Sequence, residues 1–205
     1  MPFNYYEKEF QEKWDCFWEN IMFVEQPIND ERIEIYIKLL KHNFVNGEVL
    51  IKKISYEKNL FLDRFINERA KSIHETTFFI RFFENENIRR IFSDLHIPKR
   101  LTYIPDLKIM DGITSKYSFL KDQLFMPLLC NGGAYYSFEG PKEVADKVCR
   151  QIYESIFENR LNDFVVFSFL GYWNEWFFDV AWDYTYVIFD KKENLIWVLA
   201  ITDTD

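Results

Sequence analysis

Residues 163–170 read DFVVFSFL, an apolar run with no alternation of apolar and polar side chains. A strand with one wet face alternates with a period of two, so a strand without alternation is covered on both faces. Two further runs follow, YTYVIFD at 184–190 and LIWVLAIT at 195–202, joined by KKEN. A four-residue polar link between two β-rich runs is the signature of a hairpin. Whatever else the chain does, it must supply enough apolar surface to bury this sheet.

The stretch before 163 extends the pattern. NGG at 131–133 reads as a turn, and AYYSFEG at 134–140 as a strand that ends at Gly140. Pro141 stands where a helix begins. The helix runs to about residue 159, with Ala145, Val148, Cys149, Ile152, Ile156 and Phe157 on one face. Glu143 and Lys147 form an i,i+4 pair on the outside. The expectation is an α+β fold, with a helical N-terminal half followed by a mostly antiparallel sheet and one packed helix.

The first hundred residues follow the helical period. Tyr6, Phe10, Trp14, Phe17, Trp18 and Ile21 recur every three or four positions between 5 and 23. QPIND then breaks the stripe and offers Asn29 or Asp30 as an N-cap. Ile33, Tyr36, Ile37 and Leu40 resume it in a second helix that ends near Asn46-Gly47. A third helix is expected over about 57–74, using Leu60, Phe61, Phe65, Ile66 and Ile73. A fourth is expected over 76–94, using Phe79, Phe82, Phe83 and Phe92, although TTFFIRFF also fits a strand by its β-branched and aromatic content. Pro98, Pro105, Asp111-Gly112 and Pro127 punctuate 97–127 and suggest irregular structure with a short strand. The division expected is a helical region at 1–96, an irregular connector at 97–130 and a sheet region at 131–205, together forming one unit.

Several chemistries lack their residues. There is no GxGxxG, no GxxxxGK[ST] and no GxSxG. His42, His74 and His96 have no metal-ligand spacing. Cys16, Cys130 and Cys149 form no CxxC, which suits reduced thiols in the cytoplasm. Cys130 as a nucleophile needs an activating base, and the sequence offers only His96 without a reason to pair them. Arg89, Arg90, Lys99 and Arg100 are the one basic grouping, read as a solvated helix end. No cofactor is expected. The start, MPFNYYEKEF, lacks the features of a secretion signal, and no apolar run is long enough to span a bilayer.

The charge is uneven. Residues 101–205 hold 9 Lys and Arg against 16 Asp and Glu, a balance of −7 out of the chain's −8. Such a surface disfavours nucleic-acid backbones and favours a basic protein or a cation. The candidate site lies within it. GYWNEWFFDVAWDYTYVIFD, 171–190, sets Trp173, Trp176 and Trp182 among Glu175, Asp179 and Asp183. The carboxylates are four residues apart. Both a helix and a strand place such a series on one face, about 6 Å apart in the first case and about 13 Å in the second. The longer match is to a short loop near 171–175 followed by one strand through Asp190, with Asp203 and Asp205 approaching from a neighbouring strand. Trp173, Glu175, Trp176, Asp179, Trp182 and Asp183 are therefore the candidate partner-binding residues. If the chain is an enzyme, Glu175, Asp179 and Asp183 are its candidate catalytic carboxylates, in a hydrolase that is metal-assisted or carboxylate-based. A third reading makes the segment core, with its carboxylates bonded to buried donors.

A strand–helix–strand followed by WNEWFFDVAWDYTYVIFD and a closing hairpin resembles the small acidic bacterial immunity proteins encoded beside polymorphic toxins. The resemblance covers about the last seventy residues and rests on general character, not on a diagnostic motif. It implies a cytoplasmic inhibitor whose partner is another protein, a toxin domain, and which performs no chemistry.

Overall fold

The computed structural model describes residues 3–68, 75–101, 107–110 and 120–205. Ile73, His74, Pro105 and the Asp111-Gly112 turn lie outside these residues, as do the side chains of Tyr6 and Phe10. Six strands form one sheet in the order β1-β2-β6-β5-β4-β3, every neighbouring pair antiparallel. They are β1 (Phe23–Gln26), β2 (Glu48–Tyr56), β3 (Leu107–Met110), β4 (Phe164–Leu170), β5 (Tyr184–Asp190) and β6 (Leu195–Thr202). The α+β class and the antiparallel C-terminal sheet agree with the reading of the sequence. The β5–β6 hairpin closes through Lys191–Asn194, with Asp190 opposite Leu195. The sheet also draws two strands from the helical half: β2 pairs along its length with β6, from Glu48↔Thr202 to Ser55↔Leu195. All three segments of the expected division thus contribute to one sheet.

The unalternating strands are buried on both faces, and the register shows how. On one face Phe167, Val187 and Val198 stand side by side across β4, β5 and β6. On the other, Val166, Ile188 and Trp197 do the same. Each face carries its own core. The first is covered by α1 (Phe3–Asn20), α3 (Leu60–Glu68), α4 (Glu75–Glu84) and α5 (Glu86–Ile91). The second is covered by α2 (Glu31–Asn43), a π-helical turn at Lys121–Phe125, α6 (Met126–Asn131) and α7 (Lys142–Phe157). The helix expected to pack on the sheet is α7, which presents Ala145, Val148, Cys149, Ile152, Ile156 and Phe157 to the core as the periodicity requires.

TTFFIRFF resolves as helix. In α4 the buried rings are Phe78, Phe79, Phe82 and Phe83, one helical stripe, whereas a strand would have buried every second residue. Phe79 meets Phe167 and Phe169 edge-on at 4.9 Å each, so this helix seats directly on β4. Asn85 ends the run and caps α5, accepting from the N–H groups of Asn87 and Ile88. Asp30 is the N-cap of α2, as the QPIND break suggests, and accepts from the N–H of Arg32 at 2.9 Å.

Two expectations are overturned. AYYSFEG is not a strand: residues 134–140 form a loop without ladder partners. Its tyrosines have high β-propensity, but Gly132 at φ +66° turns the chain, and the Gly133 N–H bonds back to Tyr136 O at 2.9 Å. The second helix also stops earlier than Asn46-Gly47. Phe44 is its C-cap and is drawn into the core, which removes the chain from the helical path three residues before the glycine. Among the described residues no helix is long and apolar enough to cross a membrane.

Candidate functional site

The segment 171–183 is a loop, and the strand begins only at Tyr184. The expected long strand fails because this stretch bonds to itself. Gly171, at φ +93°, turns the chain out of β4, and its N–H closes the loop on Asp183 O at 3.0 Å. Asn174 supplies the next turn. Its Oδ1 accepts from the Trp176 N–H at 2.9 Å, and its backbone carbonyl accepts from the Phe177 N–H. Its Nδ2 donates to Leu95 O at 3.3 Å, which ties the loop to the turn after α5. Asp179 sits at φ +62°, a left-handed conformation that a short polar residue tolerates and a strand excludes.

Asp183 holds this loop from inside. It is 1% exposed. Its Oδ2 accepts from the Val180 N–H at 3.0 Å, and its Oδ1 accepts from the Thr202 hydroxyl at 2.6 Å, with the Phe178 N–H at the longer distance of 3.5 Å. Trp173 is buried as well. Its ring lies 4.4 Å from Phe83, and its Nε1 donates to the Thr185 hydroxyl at 2.9 Å.

The six residues singled out by the sequence therefore separate. Trp173 and Asp183 belong to the interior of the fold. Glu175 and Asp179 are exposed, while Trp176 and Trp182 are half-buried, the latter against the second core. The four-residue spacing does not put the three carboxylates on one face, because the backbone between them is neither helix nor strand. Asp183 directs its oxygens at backbone and hydroxyl donors, so it is not available as a shared-proton partner for the other two.

Asp203 repeats the theme one residue beyond β6. It is fully buried, with Oδ1 accepting from the Asn46 N–H at 2.9 Å and Oδ2 from the Ala134 N–H at 2.8 Å. One carboxylate thus joins the α2–β2 connection to the 132–140 loop. Close approach is required on both sides. A Cβ on Gly133 would lie 2.0 Å from Asp203 Oδ2, and one on Gly47 would lie 2.0 Å from Thr202 O. Asp205 is exposed.

At this end of the sheet a surface cleft of about 700 Å³ opens between the 171–183 loop and the start of β2. Glu48, Asp94 and Glu175 give it three carboxylates, and His96 is its one imidazole. Trp176 and Phe178 form its aromatic wall, and the Trp176 Nε1 donates to Glu48 Oε2 at 3.1 Å. A smaller hollow of about 410 Å³ shares Gly47, Glu48 and Asp94 and runs toward Lys41 and Val45. Glu48, Asp94, His96 and Phe178 were not among the sequence candidates. Positions 48, 94 and 175 are remote along the chain, and the β2–β6 pairing, the Asn174–Leu95 bond and the Trp176–Glu48 bond bring their segments together.

Among the described residues no three His, Cys, Asp or Glu side chains are placed to hold a metal ion. Cys130 is half-buried, and burial pushes its thiol up, opposite to the shift that activates a nucleophile. Chemically, the cleft offers negative charge, hydrogen-bond acceptors and aromatic surface. No family model, curated protein or solved structure matches this chain.

Proposed function

We propose that the protein is a cytoplasmic, bacterial protein-binding protein that uses the acidic and aromatic surface around 175–182. An immunity protein that neutralises a toxin domain is the specific form of this reading. One observation carries it. The aromatic wall of the cleft stands beside three carboxylates and remains open to solvent, with Phe178 50% exposed. A ring of that size facing water beside fixed charge is the composition of an interface centre with a polar rim. Glu175, Trp176, Asp179 and Trp182 reach a partner directly, while Trp173 and Asp183 hold the loop that displays them.

The test begins with affinity purification of the tagged chain and identification of a bound protein, followed by calorimetric titration of that protein once purified. Trp176→Ala and Glu175→Lys are expected to weaken binding at least tenfold, while the melting temperature stays within a few degrees of wild type. Wild-type affinity in both variants would refute the assignment of the surface. The hydrolase reading rests on Glu175 and Asp179 alone once Asp183 is committed to its loop, and no observation favours it over binding.

A further inference from the structure

Resting on that reading, we propose that the binding face is composite, with the 132–140 loop as its second half, and that its occupant is an arginine-bearing segment of a basic protein. The two loops are both anchored at the end of β6. Thr202 holds the Asp183 carboxylate, and so the 171–183 loop. The next residue, Asp203, holds both the Ala134 N–H and the Asn46 N–H. Asn46, Gly47 and Glu48 line the cleft, so the 132–140 loop is fastened to the cleft's own rim.

That second loop carries unprotected aromatic surface. Tyr135 is 61% exposed and Tyr136 49%, and the Tyr136 ring lies 6.1 Å from His42. Neither phenol is required by the core. Tyrosine at such a density offers large, stiff contact area at low conformational cost, and it is enriched at interface centres. The cleft half combines Glu48, Asp94 and Glu175 with the rings of Trp176 and Phe178, and Lys41, His42 and His96 are among the nearby basic side chains. The loop half adds the exposed rings of Tyr135 and Tyr136. A segment that lies across both must carry groups that are cationic, planar and able to stack. Arginine meets this description through bidentate pairing with carboxylates and stacking on aromatic faces, and lysine meets only the first part.

The experiment uses the full chain, labelled with nitrogen-15, and two synthetic probes, (Arg-Ser)6 and (Lys-Ser)6, at 0.15 M salt. Amide shifts are expected in 45–48, 133–138 and 172–178 together, with (Arg-Ser)6 binding about two- to fivefold more tightly than (Lys-Ser)6. The double variant Tyr135→Ala/Tyr136→Ala is expected to reduce that preference and to remove the shifts at 133–138 while retaining binding. Glu48→Gln/Glu175→Gln is expected to weaken both probes. If the arginine preference is undiminished in the tyrosine variant, or shifts are confined to 172–178, the composite face is refuted while the acidic-aromatic site stands. If shifts scatter over remote acidic positions such as Glu143 and Glu193 and the glutamine variant binds normally, both readings fall.

Discussion

The Thr202 hydroxyl donates to the Asp183 carboxylate at 2.6 Å, across a sequence separation of nineteen residues and with both side chains buried. This contact makes the end of β6 a clamp on the loop before β5. Asp183→Ala would leave the Thr202 hydroxyl and the Val180 N–H without their acceptor, at a cost of about 1–3 kcal/mol for each buried group left unpaired. Thr202→Val removes one donor and leaves Asp183 with its backbone partners, so it should cost less. In urea unfolding, the double variant is expected to be less destabilised than the sum of the two singles, because the residues share one interaction. Additive losses would show that the clamp is not an energetic unit.

A second aspartate is fixed at the far end of β5. Asp190 is 2% exposed and receives Arg160 through two parallel bonds, Nη2 to Oδ2 at 2.7 Å and Nη1 to Oδ1 at 3.2 Å. Its Oδ1 also accepts from the Lys192 and Glu193 N–H groups, each at 3.1 Å, and thereby shapes the β5–β6 turn. Arg160→Ala strips the ion pair from a buried charge and is expected to cost about 3 kcal/mol. Arg160→Lys keeps the charge but not the fork, and should recover less than half of that loss. Paired chemical denaturation curves of the two variants check the order.

What the residues disclosed in advance follows from how local each cause is. The hairpin and the helix α7 are written in periodicity and turn chemistry within a few residues, and they are where the sequence placed them; the helix expected over 76–94 keeps its Phe79, Phe82 and Phe83 stripe but is broken at Asn85 into α4 and α5. The N-cap at Asp30 is equally local. AYYSFEG misled because its composition favours a strand, while its start is held from outside by Asp203, which accepts from the Ala134 N–H across 69 residues; 175–183 misled because Asn174 and Asp183 bond that stretch to itself. Trp173 and Trp182 look alike in sequence, yet one sits under Phe83 and the other at the margin of the second core. The cleft was invisible for the same reason, since it exists only after β2 pairs with β6.

Acid should act on α2 before it acts on the cores. The Arg32 guanidinium, bonded to Asp30, holds that carboxyl down at about 2, and the N–H of Arg32 reinforces it. Asp146 is lowered in the same direction by Lys121. A depressed carboxyl pKa stabilises the fold above the unfolded value of about 4, and this contribution is lost as the pH falls toward 2. Asp30→Ala, which also removes the cap, is expected to cost about 1 kcal/mol at pH 7. The difference between wild type and variant should shrink steadily from pH 4 to pH 2. A difference that stays constant over that window would mean that the cap does not depend on its charge.

Alkali works through the buried acids of the second core, with the opposite sign. Burial pushes the Cys149 thiol up to about 12, and it also raises Tyr36 and Tyr186 on the same face of the sheet. A group whose pKa is raised on folding stabilises the native state fully below its unfolded value, about 8.5 for a thiol and about 10 for a phenol, and loses that contribution as the pH climbs toward the native value. The melting temperature is therefore expected to fall progressively above pH 9. The Cys149→Ala variant should show a shallower fall between pH 8.5 and 10, where the buried thiols of Cys149 and Cys130 contribute before the phenols. The same burial predicts thiol reactivity. At pH 8 a disulfide reagent such as DTNB should modify exposed Cys16 quickly, the half-buried Cys130 slowly and Cys149 only after denaturation. Rapid modification of all three in the native protein would contradict the packing of α7 against the sheet.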